Sequence, residues 1–144
     1  MRLNFLKSRP RSLGFRREGK QVLDRASSTA GSVGIDSLDL LAAMLEQPKA
    51  VRLINEVSGT AEPMKREVKI PHGARGDGPG LTLDAKSAIE ATSRRALSKK
   101  ADAELEDLLI GLATADCRAR RVLVEHGITA EALVARLGGS APAP

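Results

Sequence analysis

At 144 residues the chain can bury one core of ordinary size, and with two Phe, no Tyr and no Trp that core must be aliphatic. The scarcity of aromatic rings argues against nucleic-acid modules that stack bases, and a single cysteine excludes an internal disulfide framework. The net charge of +5 is uneven: residues 1–20 hold seven basic residues and one acid, leaving sixteen basic and seventeen acidic residues in 21–144.

The basicity therefore belongs to a leader at 1–14, which reads as a flexible, solubilising segment. The alternative is a regulatory helical protein that touches nucleic acid through that leader. An Arg-rich start also suits an organelle transit peptide, but the run is short and reaches into the first predicted helix. No apolar stretch is long enough to span a membrane, and there is no signal-peptide core. With one cysteine, the expected location is the cytoplasm.

The first predicted helix covers 16–30, with Val22, Leu23, Ala26 and Ala30 at helical spacing before Gly31 and Gly34. Ser37 is placed to cap a second helix with Leu38, Leu41, Met44 and Leu45 inward, ending near Pro48. A third helix at 49–56 stops before Ser58-Gly59, and Thr60 caps a fourth with Pro63 in its first turn. Residues 70–80 carry four glycines and two prolines and read as a linker. The pattern then restarts. Thr82 caps a helix running to Leu97, and Asp102 or Ala103 opens the next, with Leu105, Leu108, Leu109 and Leu112 inward. Asp116 caps a helix ending at His126-Gly127, and Thr129 caps the last, with Leu133 and Leu137 one turn apart. The tail at 138–144 reads as disordered.

The restart is a repetition. Ile35-Asp36-Ser37-Leu38-Asp39-Leu40-Leu41-Ala42-Ala43-Met44 matches Ala103-Glu104-Leu105-Glu106-Asp107-Leu108-Leu109-Ile110-Gly111-Leu112 at an offset of about 68 positions, and Gly59 falls against Gly127. Val22-Leu23-Asp24-Arg25-Ala26 lies near Ile89-Glu90-Ala91-Thr92-Ser93, one residue out of step. The expected fold is all-α, a tandem pseudo-two-fold repeat of two four-helix units: repeat one 15–69, the linker 70–80 and repeat two 81–137. Such duplicated helical units build binding surfaces more often than catalytic pockets.

Residues suited to chemistry are few. His72 lies in the linker, and His126 at a helix end reads as a dipole partner. Cys117 reads as a small buried side chain, and no His/Cys/carboxylate spacing suits a metal. The glycine-rich linker lacks the Gly-Lys-Ser/Thr ending of a phosphate loop. Arg75-Gly76-Asp77 spells an adhesion tripeptide by chance. Glu104, Glu106 and Asp107 read as acids at a helix start. The expectation is a protein with no catalytic residues, cofactor or metal.

The duplicated pattern resembles the amino-terminal (Clp repeat) domain of the Clp unfoldase family. There each repeat begins with Phe-Thr and later presents Ile-Gly-Thr-Glu-His-Leu-Leu-Leu-Gly-Leu. Here the second copy reads Leu81-Thr82 and then Glu106-Asp107-Leu108-Leu109-Ile110-Gly111-Leu112, while the first begins Phe15-Arg16 and continues from Ile35. Val122-Leu123-Val124-Glu125-His126-Gly127-Ile128 is similar to the family's segment before its last helix. The likeness spans about residues 15–137, without the ATPase modules or nucleotide loop of the large unfoldases, and implies a free-standing recognition module. In related unfoldases this domain binds arginine-phosphorylated substrates through the Thr and the Glu of those motifs. By position the resemblance implies Thr82 and Glu106 as ligand-binding residues, since the first copy has Arg16 and Leu38 there. A cap role for Thr82 and an early-helix role for Glu106 are the alternatives. The family's Gly-His-Asn-Tyr is replaced near Ser98-Lys99-Lys100-Ala101. The implied function is non-enzymatic protein binding in Clp-type proteolysis, as adaptor, accessory subunit or decoy. The implied partners are Clp-type unfoldase or protease components, or their substrates and adaptors, met through helix N-termini and the groove between repeats. No membrane or nucleic-acid partner is expected.

Overall fold

The computed structural model describes residues 15–30, 34–69 and 81–137; the leader, the linker with His72 and Arg75-Gly76-Asp77, and the tail lie outside the described residues. Repeat one contains α1 (Arg17–Ala30), α2 (Ser37–Met44), α3 (Pro48–Val57) and α4 (Ala61–Lys69). Repeat two contains α5 (Leu83–Lys99), α6 (Leu105–Thr114), α7 (Arg118–Glu125) and α8 (Ala130–Arg136). The fold is all-α; among the described residues the only β contacts are two isolated bridges. No described helix is long and apolar enough to cross a membrane.

Packing follows the repetition. The pair α1 and α2 packs as α5 and α6 do, and α2 and α4 as α6 and α8 do. Helix α2 touches α5 and α7, while α6 touches α1 and α3; α2 and α6 meet each other at the centre. These two helices are the core. Leu40, Leu41 and Met44 of α2 and Leu105, Leu108, Leu109 and Leu112 of α6 are fully buried. Gly59 and Gly127 both take positive φ, at 71° and 80°, a conformation that suits glycine and turns the chain toward each repeat's last helix.

The contact between α5 and α6 depends on small residues. Ala85, Ala88, Thr92 and Ala96 form a buried stripe at helical spacing on α5, so that the two axes approach closely. Gly111 of α6 lies against this stripe. A methyl group there would collide with the Thr92 hydroxyl and come within 2.8 Å of the Ala88 carbonyl and 3.0 Å of the Thr92 nitrogen.

Several helix starts differ from the sequence reading. Asp36, at φ −108° and ψ 177°, caps α2 by accepting from the Leu38 and Asp39 amides at 2.8 and 3.1 Å, and the Asp39 carboxylate returns a bond from the Asp36 amide at 3.0 Å. Ser37 is instead the first helical residue. The cap residue of α6 is Glu104, whose amide donates to Asp107 at 2.8 Å, and that of α7 is Cys117 rather than the exposed Asp116. The Thr60 hydroxyl bonds to Ser58 and the His126 carbonyl, while Asn55 accepts from the Ala61 amide at 3.1 Å. Leu137 ends α8 and is 39% exposed, while Leu133 one turn earlier is buried. Thr82 and Thr129 do cap their helices, accepting from Ala85 and Ala132 amides at 3.4 and 3.1 Å.

Gly111→Ala is expected to destabilise the fold by about 1–3 kcal/mol through overpacking, despite the better helix propensity of alanine. Urea denaturation with circular dichroism checks it.

Candidate functional site

Each repeat reaches across to the other at its first residue. The Arg16 amide donates to the Ala103 carbonyl at 2.8 Å, and the Thr82 amide to the Ile35 carbonyl at 2.9 Å, forming the bridges Phe15–Ala103 and Leu81–Ile35. The start of α1 therefore lies beside the turn that opens α6, and the start of α5 beside the turn that opens α2. Two equivalent corners result.

The first corner is saturated with hydrogen bonds. Buried Ser37 donates its hydroxyl to Asp84 at 2.6 Å and accepts the Ala119 amide at 3.0 Å. Asp84 also receives the Thr82 hydroxyl at 2.7 Å and the Ser37 and Arg118 amides at 3.2 Å each. Burial pushes the Asp84 carboxyl up, but bonds from the Ser37 and Thr82 hydroxyls, then from the two amides, outweigh it and leave the group below its ordinary value. The Arg118 guanidinium spans the corner, 2.9 Å from Asp36 and 3.8 Å from Asp84. The N-terminus of α7 is thus capped from outside its own segment, which explains why Asp116 is not needed there. Burial pushes the Cys117 thiol above its ordinary value, and the thiol donates to the Leu112 carbonyl at 3.4 Å.

The second corner has the same plan and fewer bonds. Lys49, in the first turn of α3, stands 2.9 Å from Glu106 and 3.8 Å from Glu18 of α1. A hydrogen bond to Glu106 holds the Lys49 ammonium above its ordinary range, against the opposing effect of burial, with Glu106, Glu18 and Glu104 adding attraction. Leu105 and Arg16 stand where the first corner has Ser37 and Thr82, so the two hydroxyl groups have no counterpart. Among the described residues Glu106 Oε1 is a buried side-chain oxygen without a hydrogen-bond partner. Its neighbour Asp107 is held by Arg95 at 2.8 Å and Lys99 at 2.6 Å.

The crossing decides where the two sequence-derived residues lie. Thr82 belongs to the Asp84 corner, bonded to Ile35 and Asp84, and Glu106 to the Lys49 corner. A groove of about 460 Å³ opens beside the first corner, lined by Thr82, Leu83, Asp84, Cys117, Arg118 and Arg121 among others, with Leu83 81% exposed at its mouth. Its described lining comes from repeat two alone, with Ser37 and Asp36 of repeat one bonded behind it. Sequence reading missed Ser37, Asp84, Arg118 and Lys49. Matching the helix starts sets Glu18 against Asp84, each the second residue of its helix, and brings Lys49 and Arg118 within one position of each other in the first turns of α3 and α7. Among the described residues no group of three or more His, Cys, Asp or Glu side chains is placed to hold a metal ion.

No family model and no curated protein matches the sequence. Solved structures do match the fold. The N-terminal domain of Hsp104 from Candida albicans superposes with a TM-score of 0.69 at 15% identity, over 88% of this chain and 93% of that one. The chain has the fold of a Clp N-terminal domain. The N-terminal domain of the caseinolytic protease associated chaperone ClpD from Arabidopsis thaliana gives 0.61 at 21% identity, over 85% and 93%. A chain from a study of a malarial protein secretion system gives 0.71 at 19% identity, over 86% and 92%. At these identities the likeness establishes the architecture alone.

Asp84→Asn is expected to cost about 1–3 kcal/mol at neutral pH, because a charged acceptor of several bonds is lost. Asp84 is depressed in the folded state, so its contribution is present above the ordinary carboxylate value and fades as pH falls through the lower folded value. The stability gap between wild type and Asp84→Asn should therefore narrow on acidification below about pH 4, as read from denaturation midpoints across pH.

Proposed function

We propose that this chain is a non-enzymatic protein-binding module of Clp-type proteolysis, acting in the cytoplasm. The observation that carries the reading is the Clp N-terminal fold, extending over most of this chain and nearly all of the Hsp104 and ClpD domains. The described residues support it: the cysteine is buried, and Arg118 and Lys49 each pair with an acid of the other repeat. Partners of this reading are Clp-type unfoldase or protease components, or their substrates and adaptors. Adaptor, accessory subunit and decoy are three forms of one role, differing in whether a captured client is passed on.

For a ligand, the reading favours an arginine side chain, free or phosphorylated, at Glu106. A carboxylate receives a guanidinium through two parallel bonds, and Glu106 has one oxygen already buried without a donor. Thr82, whose hydroxyl is committed to Asp84 and the α5 amide, takes part through the groove beside Leu83 at the other corner.

Affinity capture from native cytosol, with identification by mass spectrometry, tests the module. Wild type should recover a Clp-type unfoldase, protease component or client, with recovery reduced severalfold by Glu106→Ala and less by Thr82→Ala. Recovery of none of these above a bead control overturns the proposed function, whereas equal recovery by wild type and both variants removes only the two residues.

A further inference from the structure

The two corners share one plan, an acid, a cation and an acid bridging the repeats, but they differ in how completely the cation is held. Arg118 fits the first corner with a guanidinium against Asp36 and an Asp84 already fixed by hydroxyl and amide donors. Lys49 meets Glu106 as a point charge at 2.9 Å on Oε2, leaving Oε1 buried and undonated. The Lys49 side chain is 40% exposed, and Glu18, 44% exposed and 3.8 Å away, is a second carboxylate within its reach.

We infer that Lys49 is a built-in competitor at Glu106, covering the carboxylate at rest and yielding it to an incoming guanidinium. This rests on the reading of Glu106 as a guanidinium receptor. Exchange is favoured because a planar guanidinium serves both oxygens while an ammonium serves one. The departing ammonium keeps a partner in Glu18 and regains water, so its release costs little. Lys49 thereby sets the threshold affinity of the corner for a guanidinium.

Titration calorimetry at low salt tests this, using arginine amide and phosphoarginine as probes, two ligands that share the guanidinium. Lys49→Met should bind about threefold to fivefold more tightly than wild type, the factor set by a partly exposed ion pair. Lys49→Gln, which keeps the polar stem, should move the same way and guards against an effect of added apolar surface. Lys49→Arg should bind more weakly than wild type, because the protein's own guanidinium then satisfies both oxygens. Glu106→Gln should lose binding in the wild-type and Lys49→Met backgrounds alike. Thermal melts establish that each variant is folded. If Glu106→Gln abolishes binding but Lys49→Met is no tighter than wild type, or Lys49→Arg binds as well as wild type, the competitor is overturned and the Glu106 receptor stands. If no folded variant binds either probe, both fall.

Discussion

Two main-chain hydrogen bonds that cross between the repeats organise this protein: Arg16 to Ala103 and Thr82 to Ile35. Each puts the start of one repeat's first helix beside the start of the other repeat's second helix. The central helices α2 and α6 are thus enclosed by elements of both repeats, and their leucines lose contact with water only when the two halves are together. The polar residues at the crossing follow the same constraint. Asp36, Asp39 and Asp107 are buried carboxylates, tolerable because amides and cations satisfy them, Asp107 from within its own repeat and Asp36 in part from Arg118 of the other. A half folded alone would lose the ion pair that Arg118 of the other repeat makes with buried Asp36.

The crossing also separates what resembles a single site in the sequence. Thr82 and Glu106 lie in one repeat, yet the exchange sends them to different corners. One corner has hydroxyls from Ser37 and Thr82 and is closed by an internal arginine. The other has Leu105 and Arg16 in those places and a lysine that satisfies half of a carboxylate. Duplication supplied one frame twice, and divergence of a few polar positions made one copy a structural latch and left the other with an unused acceptor. Incomplete hydrogen bonding in a buried setting is where free energy for a ligand remains available.

Much of the fold was legible because it depends on periodicity. The leucine and alanine spacing located the eight helices among the described residues, and the match of Ile35–Met44 to Ala103–Leu112 pointed to their repetition. Helix starts were less legible: at α2 and α6 the cap lies one or two residues from the expected one, and at α7 it comes from elsewhere in the fold. At Thr82 and Thr129 the capping side chain lies next to the helix in sequence. At α7 the amides of Arg118 and Ala119 are taken by Asp84 and Ser37, which come from distant segments. Asp116 was a reasonable local candidate, but partners brought in by the tertiary fold made it unnecessary.

Local order therefore came from the chain itself: residue spacing specifies helices, and a repeated spacing specifies two similar units. Partnership came only from the assembled structure. Ion pairs between Arg118 and Asp36, or Lys49 and Glu106, join residues far apart in sequence, and nothing in the local pattern of either partner announces the other. The physical reason is range. Helix formation is governed by neighbours three and four residues away, whereas satisfaction of a buried charge depends on whichever donors the packed repeats bring within about 3 Å.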